Sequence, residues 1–100
     1  MSQFKTITPT LAPGVFQTVA ARDVSRRFLQ IQNKGDSSVF INFGSTVPDE
    51  TNSLEITSGG FYEPYRCPTN ELIMSASASA SGDIPVLIIT DEITTTTVRT

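Results

Sequence analysis

The sequence predicts an all-β fold: a single-domain antiparallel β-sandwich, jelly-roll-like or Ig-like, of about seven to nine short strands. Three observations predict it. Apolar and polar residues alternate at a period of two, and β-branched and aromatic residues crowd these runs. Gly and Pro punctuate the chain between the runs. No apolar stripe recurs at helical spacing, and residues 19–28 have room for one helical turn at most. One hundred residues make one domain over 1–100, with a single modest core.

Residues 4–8 read as a first, weak strand, which Pro9 and then Pro13-Gly14 break. Residues 15–21 resume it, with Phe16, Thr18 and Ala20 alternating against Val15, Gln17 and Val19. Residues 27–33 alternate cleanly: Leu29 and Ile31 point one way, Gln30 and Gln32 the other. Lys34-Gly35-Asp36 ends that run, and Gly35 offers the positive φ of a short hairpin loop. In residues 38–43, Val39, Ile41 and Phe43 share a face and Phe40 and Asn42 the opposite one. These two runs are expected to pair as a hairpin.

Residues 44–52 form a loop, and 53–57 a short strand with Leu54 and Ile56 inward. Ser58-Gly59-Gly60 turns the chain, and residues 61–63 extend it until Pro64. Residues 64–68 lack the N–H groups for a full ladder, which puts them at an edge or corner. Residues 70–76 form a strand with Leu72 and Met74 on one face. Residues 84–90 are the last strong strand, and their Val-Leu-Ile-Ile centre reads as buried on both faces. Residues 75–81 alternate Ser and Ala: either a strand end running into a flexible loop, or a flat surface that admits another backbone. Residues 93–100, rich in threonine, read as a frayed tail or as an arm that adds a strand to a neighbouring sheet.

Ten acidic and seven basic residues leave a net charge of −3. Nucleic-acid binding needs clustered positive charge, so no nucleic-acid partner is expected. The one basic knot, Arg22, Arg26 and Arg27, reads as solvated charge flanking a strand, or alternatively as a docking point for an acidic partner surface. The longest aliphatic run, Val86 to Ile89, is far short of the roughly 20 residues that span a membrane, so no membrane partner is expected. No apolar stretch follows Met1 to Lys5. The expectation is a chain used in a reducing cytosol, or one that leaves the cell without a signal peptide. The single cysteine, Cys67, has no internal partner for a disulfide; it reads as a small buried residue or as an intermolecular bridge.

Catalytic equipment is missing from the sequence. Without histidine there is no Ser-His-Asp or Cys-His machinery, and a lone cysteine cannot build a thiolate zinc cluster. Arg66 could lower the pKa of Cys67, but no base stands ready to activate it. Serines never occur in a Gly-x-Ser-x-Gly elbow. Asp49-Glu50 and Asp91-Glu92 read as solvated turn charges rather than a glycosidase pair. Gly59-Gly60 lacks the lysine and helix of a phosphate loop, and no acidic run has calcium-loop spacing. The chain is expected to be no enzyme and to carry no cofactor or metal. Phe61, Tyr62 and Tyr65 read as core and rim of a sheet corner; the alternative is a sugar-stacking platform, hence a carbohydrate-binding module.

Four motifs stand in order through residues 27–91: Arg27-Phe28-Leu29-Gln30-Ile31-Gln32-Asn33, Asn42-Phe43-Gly44-Ser45, Gly59-Gly60-Phe61-Tyr62-Glu63-Pro64 and Pro68-Thr69-Asn70-Glu71-Leu72. An aliphatic strand over residues 84–90 closes the order. In this order they resemble small virion proteins of tailed bacteriophages. The resemblance implies a decoration or cement protein of the virion, assembled in the host cytoplasm. It would sit on a capsid built by the major capsid protein or bind another virion protein. A head-fibre base, head–tail adaptor or tail module is the alternative within that class. Copies are expected to associate, as a trimer or around a symmetry axis. Residues 1–26 and the threonine tail lie outside the resemblance. Extended arms at 1–12 and 93–100 suit partner binding, because they can pair with a neighbour's sheet edge. The candidate partner contacts are Phe4 and Ile7, Arg22 and Arg26, Tyr62 and Tyr65, and Ile93 and Val98.

Overall fold

The computed structural model describes residues 2–44 and 47–93. Nine strands are present among them: β1 (Ser2–Ile7), β2 (Thr10–Leu11), β3 (Gln17–Ala20), β4 (Arg26–Asn33), β5 (Val39–Asn42), β6 (Leu54–Ile56), β7 (Phe61–Tyr62), β8 (Leu72–Ala76) and β9 (Ile84–Ile93). No α-helix occurs among the described residues; a single 3-10 turn spans Glu50–Asn52. Asp49 caps that turn, accepting from the N–H groups of Thr51 and Asn52. The loop expected at 44–52 contains this turn.

The strands form two antiparallel sheets. One has the order β1-β9-β4-β7, with β2 also on β9, and the other has the order β3-β8-β5-β6. β1 and β2 pair with successive stretches of β9, so they act as one bent strand. Counted so, eight strands pair first with last, second with seventh, third with sixth and fourth with fifth. That is a long hairpin rolled into two layers: a jelly roll, the first of the two expected sandwich types.

The rolled order overturns the expected hairpin. β4 pairs with β9 and β7, whereas β5 lies in the other sheet on β6 and β8. Residues 34–38 carry the chain from one layer to the other. Asn33 organises this corner from a fully buried position. Its Nδ2 donates to the carbonyls of Ser37 (2.7 Å) and Ile56 (3.0 Å), and its Oδ1 accepts from the N–H of Gly35 (2.9 Å). Gly35 has no positive φ. It is glycine because a Cβ there would lie 2.5 Å from Ile84 Cγ2.

The alternating residues meet between the layers. Leu29 and Ile31 of β4 and Ile84, Val86 and Ile88 of β9 face Val39 and Ile41 of β5 and Leu72, Met74 and Ala76 of β8. Leu87 and Ile89 are only half-buried, so β9 is buried on one face rather than two. Ile56 is buried as expected, but Leu54 stays 42% exposed because it lies on a rim strand. Residues 10–14 strap the two sheets together: Thr10 and Leu11 pair with β9, Pro13 bridges to Ala76, and Gly14 N–H donates to the Ala76 carbonyl. Leu11 is fully buried, a contribution of about 2 kcal/mol that holds the strap in place. In the Ser/Ala run, Ser75 and Ala76 complete β8 and are buried, while residues 77–80 turn, with Ala80 N–H donating to the Ser77 carbonyl.

The N-terminal segment is therefore no loose arm. Ser2–Ile7 is a paired strand of the chain's own sheet, and it closes one side of that sheet.

Candidate functional site

Beyond the strap the two sheets diverge. β1 is the rim strand of one sheet and β3 the rim strand of the other, and a groove of about 260 Å³ opens between them. Alternation along β1 sends Lys5 and Ile7 into it. Val19, Ala20 and Ala21 form the facing wall, Arg22 and Asp23 follow on the turn, and Thr90 and Arg26 lie at its floor. The walls are mainly apolar, and the charged residues of the described lining are Lys5, Arg22, Asp23 and Arg26.

Arg26 is the residue that sequence reasoning misplaced. It was expected among solvated charges, but only 4% of it is exposed. Its Nη1 donates to the carbonyls of Pro68 (2.8 Å) and Asn70 (3.1 Å), and its Nη2 to the carbonyl of Ala21 (2.9 Å). These bonds tie the end of β3 to the 68–70 segment. Nε has no hydrogen-bond partner among the described residues. Arg26 is therefore a clamp within the fold, not a surface that a partner touches. The shift of register between Arg26 and Phe28 is the local reason: a bulge at the start of β4 turns Arg26 inward beside Leu29, although strict alternation would turn it outward.

The knot divides three ways. Arg22 is exposed at the groove mouth, and Arg27 reaches out to Asp91, with Nε 3.2 Å from Oδ2. Asp91 was expected in a turn; it is a buried residue of β9, opposite both Phe4 and Phe28. Asp23 is held by Ser25, whose N–H and Oγ donate to its Oδ1 at 2.9 and 2.6 Å.

The other candidates scatter. Phe4 stands on the outer face of β1, 66% exposed, with its ring edge-on to Phe28 at 5.9 Å. Tyr62 turns inward and packs beside Phe43, ring centres 6.1 Å apart, while its neighbour Phe61 points outward. Consecutive strand residues face opposite sides, so Phe61 and Tyr62 cannot share a platform. Tyr65 is 99% exposed. The three rings therefore do not form one common platform. Ile93 ends β9 opposite Ser2, and Val98 lies outside the described residues.

Cys67 is half-buried and unbridged, with Sγ 3.6 Å from the Pro68 carbonyl. Desolvation pushes its pKa up, against the opposing pull of the Arg26 charge. A half-buried thiol held in its protonated form is a poor nucleophile. Among the described residues no group of three or more metal-ligating side chains gathers.

No family model matches the chain. No curated protein matches it either. Among solved structures it is similar to one described under "Bacillus endospore appendages form a novel family of disulfide-linked pili", with 14% sequence identity and a TM-score of 0.58, over 95% of this chain and 88% of the other. At that identity the likeness is one of fold.

Proposed function

We propose that this chain is a non-enzymatic structural protein that works in many copies within a larger protein assembly, and specifically a decoration or cement subunit of a tailed-phage virion, docked on the major capsid protein lattice. The observation that carries this reading is the open flank of the jelly roll. There the six-residue rim strand β1, with no further strand beyond it among the described residues, borders a mainly apolar groove, a combination suited to protein rather than to a small substrate. The fold likeness to an appendage-forming protein supports the coarser part, a structural subunit. The ordered motifs in residues 27–72 support the finer part. Weak contacts suffice for such a role, because a repeating lattice multiplies them. Association of copies around a symmetry axis belongs to the same proposal.

The test is quantitative mass spectrometry of purified virions. Copies in the hundreds support a decoration protein. A handful would move it to the neck, tail or fibre. Absence from the particle would defeat the virion assignment.

A further inference from the structure

We infer that the outer face of the β1-β9-β4-β7 sheet, at Asp91, receives a lysine side chain of the protein on which this chain docks. The inference rests on the reading of the chain as a structural subunit that docks on another protein, and it names the chemistry of one contact.

Three observations converge on this place. The first is a carboxylate that the fold answers on one side. Asp91 is buried, and its Oδ2 lies 3.2 Å from Nε of Arg27, a side chain 55% exposed. Its Oδ1 is buried with no hydrogen-bond partner among the described residues. A buried acceptor without a partner costs about 1–3 kcal/mol, and more when it is charged. Asn33 and Asn42 are also buried, but their amides tie loops to strands. Asp91 ties no loop: its described contact is an exposed side chain on the adjacent strand.

The second is what flanks it. Phe4 of β1 and Phe28 of β4 both lie opposite Asp91, so the three side chains share the outer face. The bulge at the start of β4 sets Arg27 on that face as well. The two rings meet edge to face across β9, 5.9 Å apart. Phe4 is 66% exposed, so little packing holds its ring in place. Aromatic faces attract cations, and so does the open carboxylate oxygen. Arg27 takes the other oxygen. A compact ammonium therefore fits the single remaining acceptor better than a two-pronged guanidinium does.

The third is the ground around the site. Ile89 and Leu87 continue along β9 on the same face, half-buried. Gln32, opposite Leu87, leads to Phe61, which is 65% exposed. An apolar band thus crosses the sheet from Phe4 to Phe61. The other sheet differs: its outward Phe40, Asn42 and Ser75 are buried. An open apolar band beside one charged socket has the make-up of a protein interface, so the ammonium belongs to a partner protein rather than to a free amine.

The experiment titrates the whole chain, amide-labelled for NMR, at constant ionic strength with Nα-acetyl-lysine N-methylamide. The norleucine counterpart, which keeps the stem and lacks the ammonium, and the arginine counterpart are titrated alongside. The lysine amide is expected to shift the amides of Phe4, Phe28 and Asp91 and their sequence neighbours. The norleucine amide should bind about tenfold more weakly, and so should the lysine amide to Asp91→Asn, because each change removes a charge-assisted contact. Arg27→Gln should instead bind the lysine amide about threefold more tightly, because the carboxylate loses its described counter-ion. Arg27 is exposed, so this variant should keep the wild-type spectrum elsewhere. Silence at tens of millimolar lysine amide, equal binding of the norleucine or arginine amide, or weaker binding by Arg27→Gln would overturn the inference. So would concentration-dependent dimerisation abolished by Asp91→Asn, which would assign the face to a second copy. The two readings separate cleanly. Virions with hundreds of copies but no lysine response would leave the structural role standing and remove this contact. A lysine response in a protein absent from virions would do the reverse.

Discussion

The two ends of β4 solve the same problem in opposite ways. Each buries a polar residue, Asn33 at the close of the strand and Arg26 at its start. Asn33 is neutral, and both its donor and its acceptor atoms are engaged by the corner it organises. The sheets meet tightly there, with Gly35 against Ile84. Arg26 is cationic, donates from its terminal nitrogens to three carbonyls and, among the described residues, has no partner for Nε. There the sheets part and a groove opens. A satisfied amide closes a jelly roll, whereas a buried charge costs desolvation and marks the end that stays open.

The comparison can be broken most directly at the closed end. Asn33→Ala orphans the carbonyls of Ser37 and Ile56 and the N–H of Gly35, and should destabilise by about 3 kcal/mol in urea unfolding. A change below about 1 kcal/mol would mean that the amide is incidental to the corner. Gly35→Ala sets a methyl group against Ile84 Cγ2 and should cost about 2 kcal/mol. If overpacking is the cause, the double variant with Ile84→Ala should lose less than the sum of the single changes.

At the open end the effect should be smaller. Arg26→Met removes three hydrogen bonds but also relieves a buried charge, so a loss of about 1 kcal/mol is expected, again by urea unfolding. A loss as large as that of Asn33→Ala would erase the contrast. The smallest effect concerns pH. The folded-state pKa of Cys67 is raised above its ordinary value of 9.0, so the folded chain keeps a proton that the unfolded chain releases. Its contribution is complete below that value and is lost as pH rises through the folded pKa. The urea midpoint of the wild type should therefore fall more steeply above about pH 9 than that of Cys67→Ala. Parallel slopes would show that burial does not hold the thiol protonated.

Much of the fold was legible, for a local reason. Leu29 against Gln30 and Ile31 against Gln32 announce a half-buried strand, and the same alternation marks Leu72 and Met74. The hairpin between residues 27–33 and 38–43 was misread because alternation tells which face a residue takes, not which strand lies beside it. Gly35 shows the same limit: the sequence marks a special position, but the need was close approach rather than positive φ. Of the candidate site, Ile7 and Arg22 fell within the groove, while Tyr62 turned into the core and Arg26 into the floor. Val19, Lys5 and Asp23 carried no signal of their own. A single bulge before Phe28 moved Arg26 inward, and nothing in residue type predicts it.

By itself the sequence determined that the chain is one domain of short strands, which side chains point inward along most of them, and that a histidine-dependent mechanism is impossible. Only the tertiary structure decided the rolled pairing, the strap at 10–14, the burial of Arg26 and the groove beside β1. The physical reason is range. Side-chain alternation is set by neighbours in the chain, so it can be read from them. Strand pairing and burial depend on residues dozens of positions away, and their free energy exists only once both layers are in place.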